Sequence, residues 1–379
     1  MIYMDHSATT PVDPRVVEAM APYWTEFFGN PSSVYGLGRR SASALEDARR
    51  TVARILNCQP AEVVFTSCGT ESDNLAIRGV ALAAAAKGKR HLITTPIEHH
   101  AVSHTVADLG ERFDFDVTIV PVDRTGLVDP AAVEAAVRPD TALISVMLAN
   151  NEVGTVEPIT EIGVVARRHR VPFHTDAVQG AASLPLDVEA LNVDLLALSA
   201  HKFHGPKGVG LLYVRKGTRL APVQTGGSQE KGRRAGTENI PYIVGMARAL
   251  ELADEGRAAE SARQLALRER LLTGLLERIP DMELTGHREQ RLPGHLSFII
   301  RGVEAQNLLI ALDLAGIAAS SGSACASGAP TPSGVLRAMG YAPDDALGAL
   351  RLTLGRLTAA ADVDTVLEKL PDIVRRMRG

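Results

Sequence analysis

The sequence predicts an α/β chain: a large domain with a mostly parallel, mixed seven-stranded sheet between helices, plus a smaller α+β domain. Three observations carry that expectation. Short apolar runs alternate with amphipathic helical stretches over the first two-thirds of the chain, the pattern of strands covered on both faces by crossover helices. One pair of runs is joined by only about eight residues, where a parallel crossover needs a dozen or more, so one strand must run backwards. From about residue 256 the alternation stops, and a charged helical stretch leads into a different mixture of strands and helices.

The expected strands, in order, are 62–67 (EVVFTS), 91–96 (HLITTP), 116–123 (DVTIVPVD), 141–148 (TALISVML), 171–177 (VPFHTDA), 193–200 (VDLLALSA) and 209–217 (VGLLYVRKG). All are rich in β-branched or apolar residues and bounded by polar or turn residues. Helices are expected between them at 72–87, 101–112, 130–137 and 159–170, where apolar residues recur with helical spacing. The last two strands are the closely joined pair, so they should be antiparallel. Beyond 256 come a charged helix over 256–279, a strand in GHLSFIIRG, a helix near 304–314, a Gly/Ser/Ala loop, a strand in ALRLTLG and a final helix.

Composition excludes several classes of function. Forty basic and 44 acidic side chains give a net charge of −4, so no basic field favours nucleic acid or an anionic membrane. The opening MIYMDHSATTPVD carries Asp5 and no apolar core, so no signal peptide is expected. The apolar stretch GVALAAAA is far too short to span a bilayer. The cysteines Cys58, Cys68 and Cys325 are too few and scattered for a disulfide framework or a zinc knuckle. A reducing, cytoplasmic location is the expectation.

Five constellations could carry chemistry. TSCGTESDN (66–74) follows a strand and opens a helix, leaving free N–H groups and the Thr70 hydroxyl at a helix N-terminus, which suits a phosphate. An ordinary capping arrangement with Glu71 or Asp73 explains the same residues equally well. FHTDAVQG (173–180) sets Asp176 and Gln179 at the carboxyl end of a buried strand, where α/β sheets bind ligands. PIEHHAVSH (96–104) brings three histidines to another strand end without zinc spacing, so ring contact with a ligand, or simple packing in the core, fits better than a metal. SSGSACASGAP (320–330) holds Cys325 among small residues, the exposed setting that a nucleophile requires. Finally, SAHKFHGPKGVG places Lys202 in the turn between the two antiparallel strands. A lysine for a Schiff base, an Asp for a pyridinium N–H, a His for a ring face and a phosphate cradle together suit pyridoxal phosphate.

These motifs resemble the class V, fold-type I pyridoxal-phosphate enzymes, and among them the cysteine desulfurases of the nitrogen-fixation and iron–sulfur-assembly type. The resemblance covers almost the whole chain through MDHSATTPVDPRV, FGNPSS, FTSCGTESDN, EHHAV, NNEVGTVEPI, HTDAVQ, SAHKFHGPKGVG, RAGTEN, SSGSACASG and LRLTLGR. It implies that Lys202 is the Schiff-base lysine and His99 the residue stacked on the cofactor ring, with His100 its neighbour. Asp176 would pair with the ring nitrogen and Gln179 with the phenolic oxygen. Gly69, Thr70, Ser199 and His201 would hold the phosphate, joined by Thr237 from the partner of a homodimer. Asn151 and Arg351 would hold the substrate carboxylate, and Cys325 would take the substrate sulfur as a persulfide, with His99 a candidate base. Cys68 departs from the family, which commonly has a glycine there.

The resemblance also implies a division into a large domain, 13–256, and a small domain formed by 1–12 and 257–379. It implies a sulfur acceptor such as an iron–sulfur scaffold protein, with no direct contact to nucleic acid or membrane. A selenocysteine lyase or another class V enzyme such as an aminotransferase is the nearest alternative. The aminotransferase needs no loop cysteine, and a catalytically silent relative would not need Lys202, Asp176 and Cys325 together. The loop around Cys325 buries little apolar surface and is expected to be mobile.

Overall fold

The computed structural model describes residues 1–322 and 332–379. The expected site residue Cys325 and its flanking loop therefore lie outside the described residues. After β1 (Ile2–Tyr3), seven strands follow in the order expected: β2 (Val63–Thr66), β3 (His91–Thr94), β4 (Asp116–Ile119), β5 (Thr141–Ser145), β6 (Phe173–Asp176), β7 (Leu195–Ser199) and β8 (Gly210–Val214). They form one sheet in the spatial order β2-β8-β7-β6-β5-β3-β4. Every pairing is parallel except those of β8, which runs antiparallel to both β2 and β7. The register places Ser199 opposite Gly210, so the turn carrying Lys202 closes this reversed pair. Strand β4 lies at one edge of the sheet, and its side chains are only partly covered. The inner strands β5, β6, β7 and β8 are buried at every position.

The remaining strands are β9 (Met282–Leu284), β10 (His295–Ile300), β11 (Ile317–Ala318) and β12 (Ala349–Thr353). Strands β9, β10 and β12 make an antiparallel sheet of order β12-β10-β9, and β1 pairs in parallel with β11. The short strands β1, β9 and β11 have no counterpart among the expected elements. Two or three residues are too few to show a period in sequence.

Helices differ from expectation mainly at their ends. Those after β2, β3 and β5 span Gly69–Ala85, His100–Phe113 and Ile159–His169. The first therefore begins three residues before the expected start at 72, because Cys68 and Gly69 belong to its cap rather than to a loop. The charged helix expected from 256 begins at Ile240 and runs unbroken to Arg278. Its buried residues near Ile243, Met246 and Leu250 join the core beneath the large sheet. Leu271, Leu272 and Leu275, further along, join a separate core with β10 and β12. The 21-residue helix Gly36–Leu56, absent from the expectation, packs against the first half of that long helix. Among the described residues, no helix is long and apolar enough to cross a membrane.

What matters for function is the carboxyl end of the parallel strands. β2 leads into Gly69, β3 into His99, β5 into Asn151, β6 into Asp176 and β7 into Lys202. Five connections thus deliver polar side chains to one rim, the place where such sheets bind ligands.

Candidate active site

A cavity of about 270 Å³ opens at that rim, lined by Cys68, Gly69, Thr70, Asp73, His99, Met147, Asn151, Asp176, Val178, Gln179, Ser199, His201 and Lys202. Nine of the eleven expected side chains within the described residues meet there. The two others are elsewhere. Arg351 stands beside the cavity, its Nη1 donating to the Asn151 carbonyl at 2.7 Å. Thr237 faces a different pocket of its own chain, with Ser67, Gly208 and Arg234.

One wall is the start of the helix Gly69–Ala85. Cys68 caps it, its sulfur accepting from the Glu71 N–H at 3.4 Å. The Glu71 carboxylate in turn accepts from the Ser67 N–H at 2.7 Å and pairs with Arg234 at 2.6 Å. The cap uses Glu71 and leaves Gly69 and Thr70 at the cavity, so capping does not preclude an anion there. A Cβ built on Gly69 would come within 3.0 Å of Val178 Cγ2 and 3.3 Å of Ser199 Cβ. A side chain at 69 would therefore crowd Val178 and Ser199 at the cavity edge.

A second wall, beside the first, is the turn after β7. Lys202 Nζ donates to the carbonyl oxygens of Ser7 and Ala8, the latter at 2.9 Å. Burial and the nearby Arg351 charge lower its pKa to about 8. The amine is thus far more available than that of a solvated lysine. His201 Nδ1 meets Thr9 Oγ1 at 3.1 Å, and burial brings its pKa down to about 4, leaving a neutral ring.

On the floor, Asp176 accepts from the Val178 N–H at 2.9 Å. Burial raises its pKa, while His99 and Lys202 oppose the rise. His99 caps the helix His100–Phe113, its Nδ1 accepting from the Ala101 N–H at 3.1 Å, so the neutral ring carries its proton on Nε2. Burial lowers its pKa as well. Gln179 Nε2 donates to the Ser7 carbonyl at 3.0 Å.

The opening segment contributes more than its motif foretold. Asp5 holds Arg351 Nη2 at 2.7 Å, and the Arg351 Nε is buried with no hydrogen-bond partner among the described residues. Asp73, Glu98 and His174 are also buried at or beside the site. One signal for His174 lies in its position: it precedes Asp176 by two on a strand, so both side chains share a face. Among the described residues no cluster of three or more His, Cys, Asp or Glu is placed to hold a metal ion.

The donor set fits a phosphorylated pyridine aldehyde: an amine, a buried carboxylate, an imidazole, and a helix N-terminus with small residues and hydroxyls around it. The comparisons with known proteins agree. The aminotransferase class-V family matches residues 2–366. A cysteine desulfurase IscS of Methanosarcina thermophila is 52% identical over 378 residues, covering 100% of this chain and 93% of its own. A solved NifS-like protein superposes with a TM-score of 0.92 at 39% identity, with 99% of each chain covered. A structure described as SspA in complex with cysteine gives 0.83 at 37% identity, covering 95% of this chain and all of that one. The chain belongs to the aminotransferase class-V family and, within it, to the pyridoxal-phosphate-dependent cysteine desulfurases.

Proposed function

We propose that this chain converts L-cysteine to L-alanine and passes the sulfur through a persulfide on Cys325 to an acceptor protein. The observation that supports the reading best is the convergence of Lys202, Asp176, His99 and the Gly69–Thr70 helix start on one cavity. In that cavity Gly69, Thr70, Ser199 and His201 would hold the phosphate, His99 would cover the ring, Asp176 would pair with its nitrogen and Gln179 with its phenolic oxygen. When bound, the pyridoxal ring accepts the electron pair released at the substrate α-carbon. Arg351 and Asn151 orient the substrate carboxylate, the unpartnered Arg351 Nε being free to donate. Lys202 takes the α-proton, a task its lowered basicity suits. The Cys325 thiolate attacks the substrate sulfur: an S–S bond forms, the substrate C–S bond breaks, and its electron pair returns toward carbon, where a proton completes alanine.

The homodimer belongs to the same proposal. Thr237 lies away from its own chain's cavity, and large apolar side chains, Trp24, Phe28 (65% exposed) and Val34 (87% exposed), cluster in one exposed segment. Both features suit a partner chain that borrows Thr237 for its phosphate site. The acceptor we propose is an iron–sulfur scaffold or a comparable sulfur-accepting protein. The division at 13–256 against 1–12 and 257–379 accords with the two cores that the long helix connects.

Titrating the apoprotein with pyridoxal phosphate tests the site. The wild type is expected to gain one visible absorption band per chain. Lys202→Ala is expected to lose that band and all turnover while keeping phosphate-borne affinity. Wild-type alanine production by the lysine variant would overturn the assignment.

A further inference from the structure

Behind Asp176 lies a second carboxyl group that the reaction described above does not use. Asp73 sits in the second turn of the helix Gly69–Ala85, 1% exposed, and lines the cofactor cavity. Its Oδ1 lies 3.4 Å from Nε2 of His174, which is fully buried on β6. As placed, neither atom makes a hydrogen bond, to the other or to any of the described residues. The far ring nitrogen of His174, Nδ1, is 2.9 Å from Ser145 Oγ on the neighbouring strand β5. Two buried polar atoms that face only each other are each satisfied when a proton lies between them, and otherwise each is left unmet.

We propose that Asp73 and His174 are positioning residues: Asp73 is a neutral acid that donates from Oδ1 to His174 Nε2, while His174 Nδ1–H donates to Ser145 Oγ. The uncharged chain Asp73–His174–Ser145 then leaves Asp176 as the one anion presented to the cofactor's ring nitrogen. This rests on the reading of Asp176 given under the proposed function.

The surroundings decide which of the two carboxyls is charged. Asp73 is faced by Asp176 and Glu98, both acids, by the Cys68 thiol, and by His174. Among the described residues no cation pairs with its carboxyl and no N–H donates to it. Asp176 is faced by His99 and Lys202 and accepts the Val178 N–H. Two neighbouring carboxylates in a dry site cannot both ionise, and the one with donors and cations keeps the charge. The helix N-terminus favours an anion at Asp73. That preference is worth about 2 kcal/mol at most, less than an unpaired buried carboxylate costs. Burial accordingly raises the Asp73 pKa well above its ordinary value and lowers that of His174 to about 3, so the ring is neutral.

The deciding measurement is the ¹⁵N spectrum of His174 in apoprotein and holoenzyme, which reads the tautomer without reference to turnover. The expected result is a neutral ring protonated on Nδ1, kept in Asp73→Asn, whose amide also donates to Nε2. In Asp73→Leu that donor is lost, and the holoenzyme's visible band should titrate at a shifted pH. Turnover should fall about tenfold, as for one buried hydrogen bond lost, with the Asn variant restoring most of it. A ring protonated on Nε2 in the wild type, which would make Asp73 the anion, overturns the proposal. So does a Leu variant with an unshifted titration. Asp176→Asn separates the two readings. If it left the visible band unaltered, the ring-nitrogen assignment would fail while the tautomer result stood.

Discussion

Arg351 is buried on β12 with three tasks for its guanidinium and only two partners. Nη1 donates to the Asn151 carbonyl and Nη2 to Asp5, each at 2.7 Å, while Nε has none among the described residues. On the proposed function a substrate carboxylate would supply the third. Arg351→Ala should raise KM for cysteine by about 10–150-fold, the loss of a charge-assisted contact of roughly 1.5–3 kcal/mol, and barely alter cofactor affinity. Steady-state kinetics and a cofactor titration check this. Glu98 gives a second residue-level prediction. Its Oε1 accepts from Thr95 Oγ1 at 2.7 Å and the Met147 N–H at 3.0 Å, while Oε2 has no partner among the described residues. Burial raises its pKa to about 8. A carboxyl whose folded pKa is raised stabilises fully below its unfolded value, near 4.3. That stability is lost as pH climbs toward 8, at roughly 1.4 kcal/mol per unit traversed. Glu98→Gln keeps the Oε1 contacts and carries no charge, so its Tm relative to wild type should rise between pH 5 and pH 8. A constant difference across that range would contradict the buried neutral acid. Lys202 and Asp176 were legible in sequence because each sits in a short motif after a strand. Asp5, Asp73 and Glu98 were not, because their meaning lies in partners from distant parts of the chain.

At the scale of elements, the opening segment is fixed over the site by a glycine. A Cβ on Gly355, just after β12, would lie 2.1 Å from the His6 ring, which is itself held by Nδ1 to the Thr353 carbonyl at 3.0 Å. His6 has little room to retreat, and residues 7 and 8 supply the carbonyls that hold Lys202. Gly355→Ala should cost about 1–3 kcal/mol as overpacking and loosen that hold. Urea unfolding is expected to show the loss, with turnover reduced in step. A variant as stable as wild type would show that the close approach carries no constraint. The motif LRLTLGR contains this glycine, but its reason is visible only once His6 lies against it. The seven strands of the large sheet were legible because each is a contiguous apolar run. The reversed strand followed from the shortness of one turn. The long helix was read from its charged half alone, since its buried half, Ile243 to Ala253, lacks that charged pattern.

Across the whole molecule, each active site of the proposed homodimer belongs to two chains. A mixed dimer with Lys202→Ala in one chain and Thr237→Ala in the other should therefore contain one doubly defective site and one intact site. Such hybrids are expected to recover up to half of wild-type turnover per dimer, although neither parent is fully active. Self-contained sites would give no intact site and no recovery. The activity itself remains the central claim, and it joins two products to one cysteine. The most direct measurement incubates the holoenzyme with L-cysteine and a reducing thiol and quantifies alanine and sulfide together, beside a Cys325→Ser variant. Wild type should release the two in equal amounts, and the serine variant should release neither at a significant rate while still binding cofactor and cysteine. Undiminished sulfide from the serine variant, or alanine formed by wild type without matching sulfide, would contradict sulfur transfer through Cys325.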